Sequence, residues 1–158
     1  MKRIGTPLAV LAAVACMMAG APSATAAAST STMIDIASYQ TGISVPATGV
    51  DIAIVKISQG NYYTNPDHAR AIGQAQITGM GVGGYDFADT SVDATVEADY
   101  YLARIMRYKG TGFLPVLDWE PSNPCDVTWA RTWLDRVYSR FGVAPWIYMN
   151  MSTEASCS

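Results

Sequence analysis

The chain has 158 residues, half of them apolar, with 10 basic against 13 acidic side chains and three cysteines. That length suits one domain and leaves too little sequence for two substantial cores. An acidic chain without a basic run argues against the phosphate-neutralising mode by which proteins hold DNA or RNA, so no nucleic-acid partner is expected.

Lys2 and Arg3 precede an apolar run over residues 8–18 and then the small residues Ala24, Thr25 and Ala26. This is the pattern of a secretory signal peptide over residues 1–26, with a second cleavage position after Ala28. The run is shorter than the roughly 20 residues of a membrane-spanning helix. Residues 27–32 read as a linker and residues 33–158 as one folded domain, expected to be secreted and extracellular or wall-associated, with no membrane partner after cleavage. Cys16 offers a weak lipoprotein alternative, because Ala13 is a poor match at that motif's first position. Losing Lys2 and Arg3 leaves 8 basic against 13 acidic residues, a net charge of −5. Cys125 and Cys157 are then the remaining cysteines, and an even pair in an exported chain reads as a disulfide, with two separate buried thiols as the alternative.

Residues 33–38, 52–58, 82–88, 113–120 and 145–150 are short, apolar and rich in β-branched or aromatic side chains, as strands buried on both faces are. Helical stretches lie between them. Asn65 and Pro66 start one that reaches Thr78 and stops at Gly79 and Gly81. Ser91 caps a second that ends near Tyr108, and Asp126 caps a third that ends at Phe141 and Gly142. Trp129 and Trp133, four apart on one helix face, are expected in the core rather than on a sugar platform. Alternating strands and helices predict an α/β fold with a parallel sheet, for which a small doubly wound sheet and part of a (β/α) barrel are both open. Asp35, Asp86, Asp118 and Glu120 fall at or near the C-terminal ends of their strands, where barrel enzymes keep their active sites, and this favours an incomplete TIM-like barrel of about five parallel strands.

Asp118-Trp119-Glu120 carries the chemistry. Alternate strand residues share a side, so the two carboxylates face one way with Cα atoms about 6.6 to 6.8 Å apart, and Trp119 faces the helices. Glycoside hydrolysis needs such a pair, one acid to protonate the leaving oxygen and one charged group to steady the developing cation. The negative charge of one raises the pKa of the other. A lone Asp-x-Glu is also a common way to end a strand.

Several segments agree in order and spacing with one family. Ile34-Asp35-Ile36-Ala37-Ser38-Tyr39-Gln40, the run AIVKISQG over residues 53–60, the Tyr63-to-Pro66 segment, Gly84-Tyr85-Asp86-Phe87-Ala88, PVLDWE ending at Glu120 and PWIYMN ending at Asn150 resemble the first five strands of family 25 glycoside hydrolases, the bacterial and phage muramidases. The resemblance implies a lysozyme (N-acetylmuramidase) acting on peptidoglycan glycan strands without a cofactor or metal. It implies Glu120 as general acid, Asp118 as stabiliser of a substrate-assisted reaction and Asp35 as the first-strand acid. Tyr85, Asp86, Tyr148 and Tyr62 are the substrate-binding candidates, with Tyr63 a weaker one. Asn123-Pro124-Cys125 and Cys157 look like the half-cystines of a secreted subgroup, worth about 3 to 4 kcal/mol on the chain-entropy estimate.

Three departures stand out. Asp86 replaces a histidine that is usual in the family, Gln59 replaces a frequent glutamate, and the sequence stops after the fifth strand, before three further strands and another groove acid. Five strands without closure leave two open sheet edges, so the expectation is a chain of low stability or weak turnover. A nonhydrolytic peptidoglycan-binding remnant and a chitinase-like barrel are the competing readings. His68, near a helix start without Cys or acidic partners, is expected to be solvated, and Asn150-Met151-Ser152 to be a chance glycosylation signature.

Overall fold

A computed structural model of the protein describes residues 30–120 and 126–157. The elements in chain order are β1 (Met33–Ile36), β2 (Ile52–Gln59), β3 (Tyr63–Thr64), α1 (His68–Ile77), β4 (Gly81–Phe87), α2 (Ala94–Ile105), β5 (Leu114–Asp118), α3 (Val127–Phe141), β6 (Trp146–Tyr148) and α4 (Met151–Cys157). Five strands pair in parallel in the order β1-β2-β4-β5-β6, and two-residue β3 pairs antiparallel with the end of β2. The sheet curls into a half-barrel with helices around it, an α/β fold with an incomplete barrel. The five expected strands are all present; β3 and α4 are additions that the residue pattern did not announce.

Alternation along the strands separates two environments. Ile36, Val55, Ile57 and Leu117 point outward and pack with Ile72 of α1, Tyr101 and Ile105 of α2 and Trp133 and Val137 of α3. Ile54, Tyr85 and Val116 point inward and form a smaller cluster on the concave side. Trp129 and Trp133 are buried, as expected, and Trp119 joins the same outer core. Its indole N–H has no hydrogen-bond partner among the described residues.

Local chemistry sets the helix ends, with corrections to two starts. Asn65 does not open α1: its side-chain N–H donates to the Lys56 carbonyl at 2.9 Å, and its Oδ1 accepts from the Asp67 amide at 3.1 Å. The turn through Pro66 is thus tied to β2, and the helix begins at His68. The cap of α2 is Asp93, which accepts from the Thr95 and Val96 amides, whereas Ser91 donates to Asp89 in the preceding turn. Asp126 caps α3 through the Trp129 amide, and Gly142 ends it at φ 85°, a left-handed conformation that favours glycine. His68 is half-buried and bonded through Nδ1 to the Asn65 carbonyl at 2.6 Å, so it is held rather than simply solvated. Asn150 accepts from Ser152 Oγ and the Thr153 amide, both at 2.8 Å, which accounts for the Asn-x-Ser run as the cap of α4.

The signal peptide over residues 1–26 and the Cys125 half of the expected disulfide lie outside the described residues. Among the described residues β6 pairs with β5 alone, and its Trp146 and Tyr148 are 52% and 54% exposed.

Gly84 lies where β4 meets the outer core. A Cβ there would come within 2.6 Å of Ile57 and 2.7 Å of Phe113. Gly84→Ala should therefore cost about 1–3 kcal/mol of stability through overpacking, read as a lower denaturant midpoint with unchanged slope.

Candidate active site

The concave face of the half-barrel holds a groove of about 410 Å³ lined by Met33, Asp35, Ile54, Tyr85, Val116, Asp118, Trp146, Ile147 and Tyr148. Its apolar floor comes from the alternation already described: Ile54, Tyr85 and Val116 stand on adjacent strands and face one way. Its polar end lies at the C-terminal tips of the strands. There Phe87 of β4, Asp118 of β5 and Tyr148 of β6 are register partners across three strands. The Ala88 amide donates to the Asp118 carbonyl at 2.9 Å, and the Trp119 amide to the Tyr148 carbonyl at 2.8 Å, so the backbone of the catalytic candidate is clamped on both sides.

Asp118 is half-buried, and its carboxyl is pushed up to about 7. Loss of water is the main cause, followed by the negative charges of Glu120 and Asp35, while Lys56 acts in the opposite direction. One of its oxygens, Oδ1, is buried without a partner among the described residues. Asp35 is more open, yet the groove wall removes enough water to raise its pKa too, against the lowering influence of the Tyr85 hydroxyl and Lys56. Burial, then the Asp35 and Asp118 charges, hold the Tyr85 hydroxyl firmly protonated. Glu120 follows the end of β5, half-buried, and its charge is the leading cause of the raised pKa of Tyr148. The three acids and two of the expected tyrosines therefore meet in one electrostatic neighbourhood.

Two expected groove residues are elsewhere. Asp86 is fully buried on the helix side of β4, because Tyr85 occupies the inward position and its neighbour must point out. Its carboxylate accepts from Ser58 Oγ at 2.7 Å and from Trp133 Nε1 at 3.0 Å, so Trp133 is both core and hydrogen-bond donor. Tyr62 stands on the rim, 61% exposed, and its hydroxyl donates to Asp89 at 3.0 Å. Tyr63 is half-buried, its ring centre 5.4 Å from Lys56 Nζ.

Lys56 is the residue that the sequence reading missed. The pairing of β2 with β4 shifts register between Lys56 and Ser58, as a β-bulge does. Ile57 packs in the outer core and Ser58 bonds Asp86 on that same side, so two consecutive residues point outward. Lys56 and Gln59 consequently both face the groove, where Lys56 donates to Gln59 Oε1 at 3.0 Å and lies 4.7 Å from the centre of the Phe87 ring. Burial lowers its pKa, opposed by Asp118, Asp86 and Asp35. The available signal was a single charged residue in β2, set between the apolar run of residues 52–55 and Ile57, since lysines are rarely buried unless paired. Among the described residues no group of three or more His, Cys, Asp or Glu side chains is placed so that it could hold a metal ion.

The profile of the glycosyl hydrolases family 25 matches residues 34–157. Among solved structures, a family 25 glycosyl hydrolase from Bacillus anthracis superposes with a TM-score of 0.70 at 20% identity over 78% of this chain and 62% of that one. A lysozyme from Streptomyces coelicolor gives 0.67 at 24% identity over 78% and 64%, and a muramidase from Acremonium alcalophilum 0.67 at 19% identity over 78% and 67%. The chain thus spans about two thirds of the length of these structures, which share its fold. No curated protein matches the sequence.

The raised pKa of Asp118 has a consequence for stability. A carboxyl whose folded pKa lies above its unfolded value favours the folded state at acid pH, and that contribution is lost as pH rises from about 4 through about 7. Asp118→Asn should therefore raise the melting temperature more at pH 8 than at pH 4, as scanning calorimetry at the two pH values would show.

Proposed function

The chain belongs to glycosyl hydrolase family 25, and from that premise we propose that it is a secreted lysozyme that cleaves the β-1,4 bond between N-acetylmuramic acid and N-acetylglucosamine in peptidoglycan. The observation that carries this reading is an open groove lined by Asp35, Asp118, Tyr85 and Tyr148, with Glu120 just past the tip of β5 and close enough for its charge to act on both acids. An elongated glycan lies along such a groove with its ring faces against Tyr85 and Tyr148.

In the proposed reaction Glu120 gives its proton to the glycosidic oxygen as the bond to the anomeric carbon breaks. The acetamido oxygen of the muramic residue attacks that carbon from the other side. Asp118, with an unpartnered buried oxygen, accepts from the acetamido N–H and steadies the positive ring that forms. Water then opens the ring, its proton returning to Glu120, which is the reverse of the first transfer. Asp35 and Lys56 set the local field: Lys56 favours the charged form of Asp118 that this stabilising role requires. The residues supply all of the acid–base work, and no cofactor or metal is invoked.

Glu120→Gln should reduce the release of reducing ends from peptidoglycan by about 10²- to 10⁴-fold, the usual contribution of a general acid, while leaving wall binding intact. Wall binding by the parent chain with no reducing ends released would instead identify a nonhydrolytic wall binder. Digestion of chitin without digestion of walls would reassign the substrate.

Export and a Cys125–Cys157 disulfide complete the proposal. Exported protein should begin after Ala26 or Ala28 on N-terminal sequencing, and show no reactive thiol before reduction. Two titratable thiols in that material would remove the disulfide from the proposal.

A further inference from the structure

Behind the groove lies a second pair of acids that the proposed chemistry does not use. Asp86 of β4 and Glu97 of α2 are both 0% exposed and hydrogen-bonded to each other. Each also has its own donors. Asp86 accepts from Ser58 Oγ and Trp133 Nε1, joining β2 and α3 to the pair. Glu97 Oε1 accepts from the Gly60 amide at 3.2 Å and the Asp89 amide at 3.1 Å. Gly60 opens the turn after β2, and Asp89 lies in the loop after β4. These are two loops of the groove rim, and Tyr62 bonded to Asp89 ties them together above the pair.

Two carboxyls in direct contact and away from water cannot both be charged at acceptable cost, and each oxygen–oxygen contact between them needs a proton. We propose that Asp86 and Glu97 hold one proton between them and, in that state, form a positioning pair that fixes the Gly60 and Asp89 loops at the rim of the groove. The charged and titratable groups around the pair agree with this. From β2, Lys56 senses Asp86 but lies on the groove side and bonds Gln59 instead. From the rim, the charge of Asp89 disfavours ionisation of Glu97, and Tyr62 senses Glu97 in turn. From α2, Tyr101 is buried and donates to the Gly84 carbonyl at 2.6 Å, neutral and within reach of Asp86 only through space. From α3, the Trp133 N–H is uncharged. Both carboxyls are raised, chiefly by burial.

The sign follows directly. With folded pKa values raised, the pair stabilises the fold while it keeps its proton, and that contribution is lost as pH rises through the folded pKa. Two adjacent buried charges then separate and admit water, and the rim loops held by Glu97 loosen with them. The device differs from the Asp118 effect in place: it acts on two loop amides outside the three-acid cluster.

The test uses the full chain carrying Asp118→Asn, so that Asp118 no longer titrates. Amide hydrogen exchange at Gly60 and Asp89, expressed as protection factors, should fall roughly tenfold or more between about pH 6 and about pH 9. Glu97→Gln added to that chain should abolish the fall, because its amide nitrogen donates permanently to Asp86 while its oxygen still accepts from the two loop amides. Protection that is flat in the parent, or that falls equally in the Gln variant, overturns the proposal. If the variant does not fold, the infrared band of a buried protonated carboxyl decides: present at neutral pH and lost on alkalisation it supports the shared proton, absent throughout it sinks it. A further arm rests on the hydrolytic reading. With Asp118 intact, KM for peptidoglycan should rise with pH in the wild type and less so in Glu97→Gln, with kcat changing alike in both. Absent turnover in both chains would count against the proposed function while leaving the exchange result to judge the pair.

Discussion

In a parallel strand each residue faces the side opposite to its neighbours, and nearly every functional assignment here depends on that constraint. Tyr85 enters the groove because Gly84 and Asp86 point to the helices. Asp118 reaches the groove while Leu117 and Trp119 are committed to the outer core. The pairing of β2 with β4 departs from that rule at the bulge in β2, which brings Gln59 to the groove side beside Lys56. Were residues 56–59 to alternate regularly, Gln59 would turn away from the groove and Ser58 would lose its place beside Asp86.

The sheet therefore separates two populations of acid. On the concave side Asp35 and Asp118 share a half-open groove with Lys56, and loss of water raises the pKa of both carboxyls. On the convex side Asp86 and Glu97 are closed off from water and satisfied by hydroxyl, indole and amide donors. In the first population the raised carboxyls of Asp35 and Asp118 cost stability at neutral pH. The second stabilises the structure only while protonated, and it lies where the helices meet the loops of the rim.

These opposing demands connect stability to function in this fold. The apolar floor of Ile54, Tyr85 and Val116 desolvates the acids that sit above it, so the same packing that holds the strands together sets the protonation state of Asp118. Backbone bonds from Ala88 and Trp119 fix the strand tip, leaving the carboxylate little freedom to escape its neighbours by moving.

Much of this was legible in the residues alone. Short β-branched runs separated by helix-length segments determined the order of elements, and Asp126, Gly79 and Gly142 marked helix boundaries because capping and left-handed turns are local events. The Asp118-Trp119-Glu120 spacing carried the expectation that two acids share a side; β5 ends at Asp118, and Glu120 lies just beyond it, where its charge acts on Asp118 and Tyr148. What the tertiary structure decided was everything that depends on which side is which and on partners distant along the chain. Asp86 looked like a groove residue until the burial of β4 turned it toward Ser58, Trp133 and Glu97, which lie 28, 47 and 11 positions away. Lys56 and Gln59 came to one face through a bulge that exists only in the pairing of two strands, and Glu97 became the partner of Asp86 only when α2 packed on the sheet. Local sequence carries the period of a strand, but its direction, its register and the company of its side chains are fixed by packing.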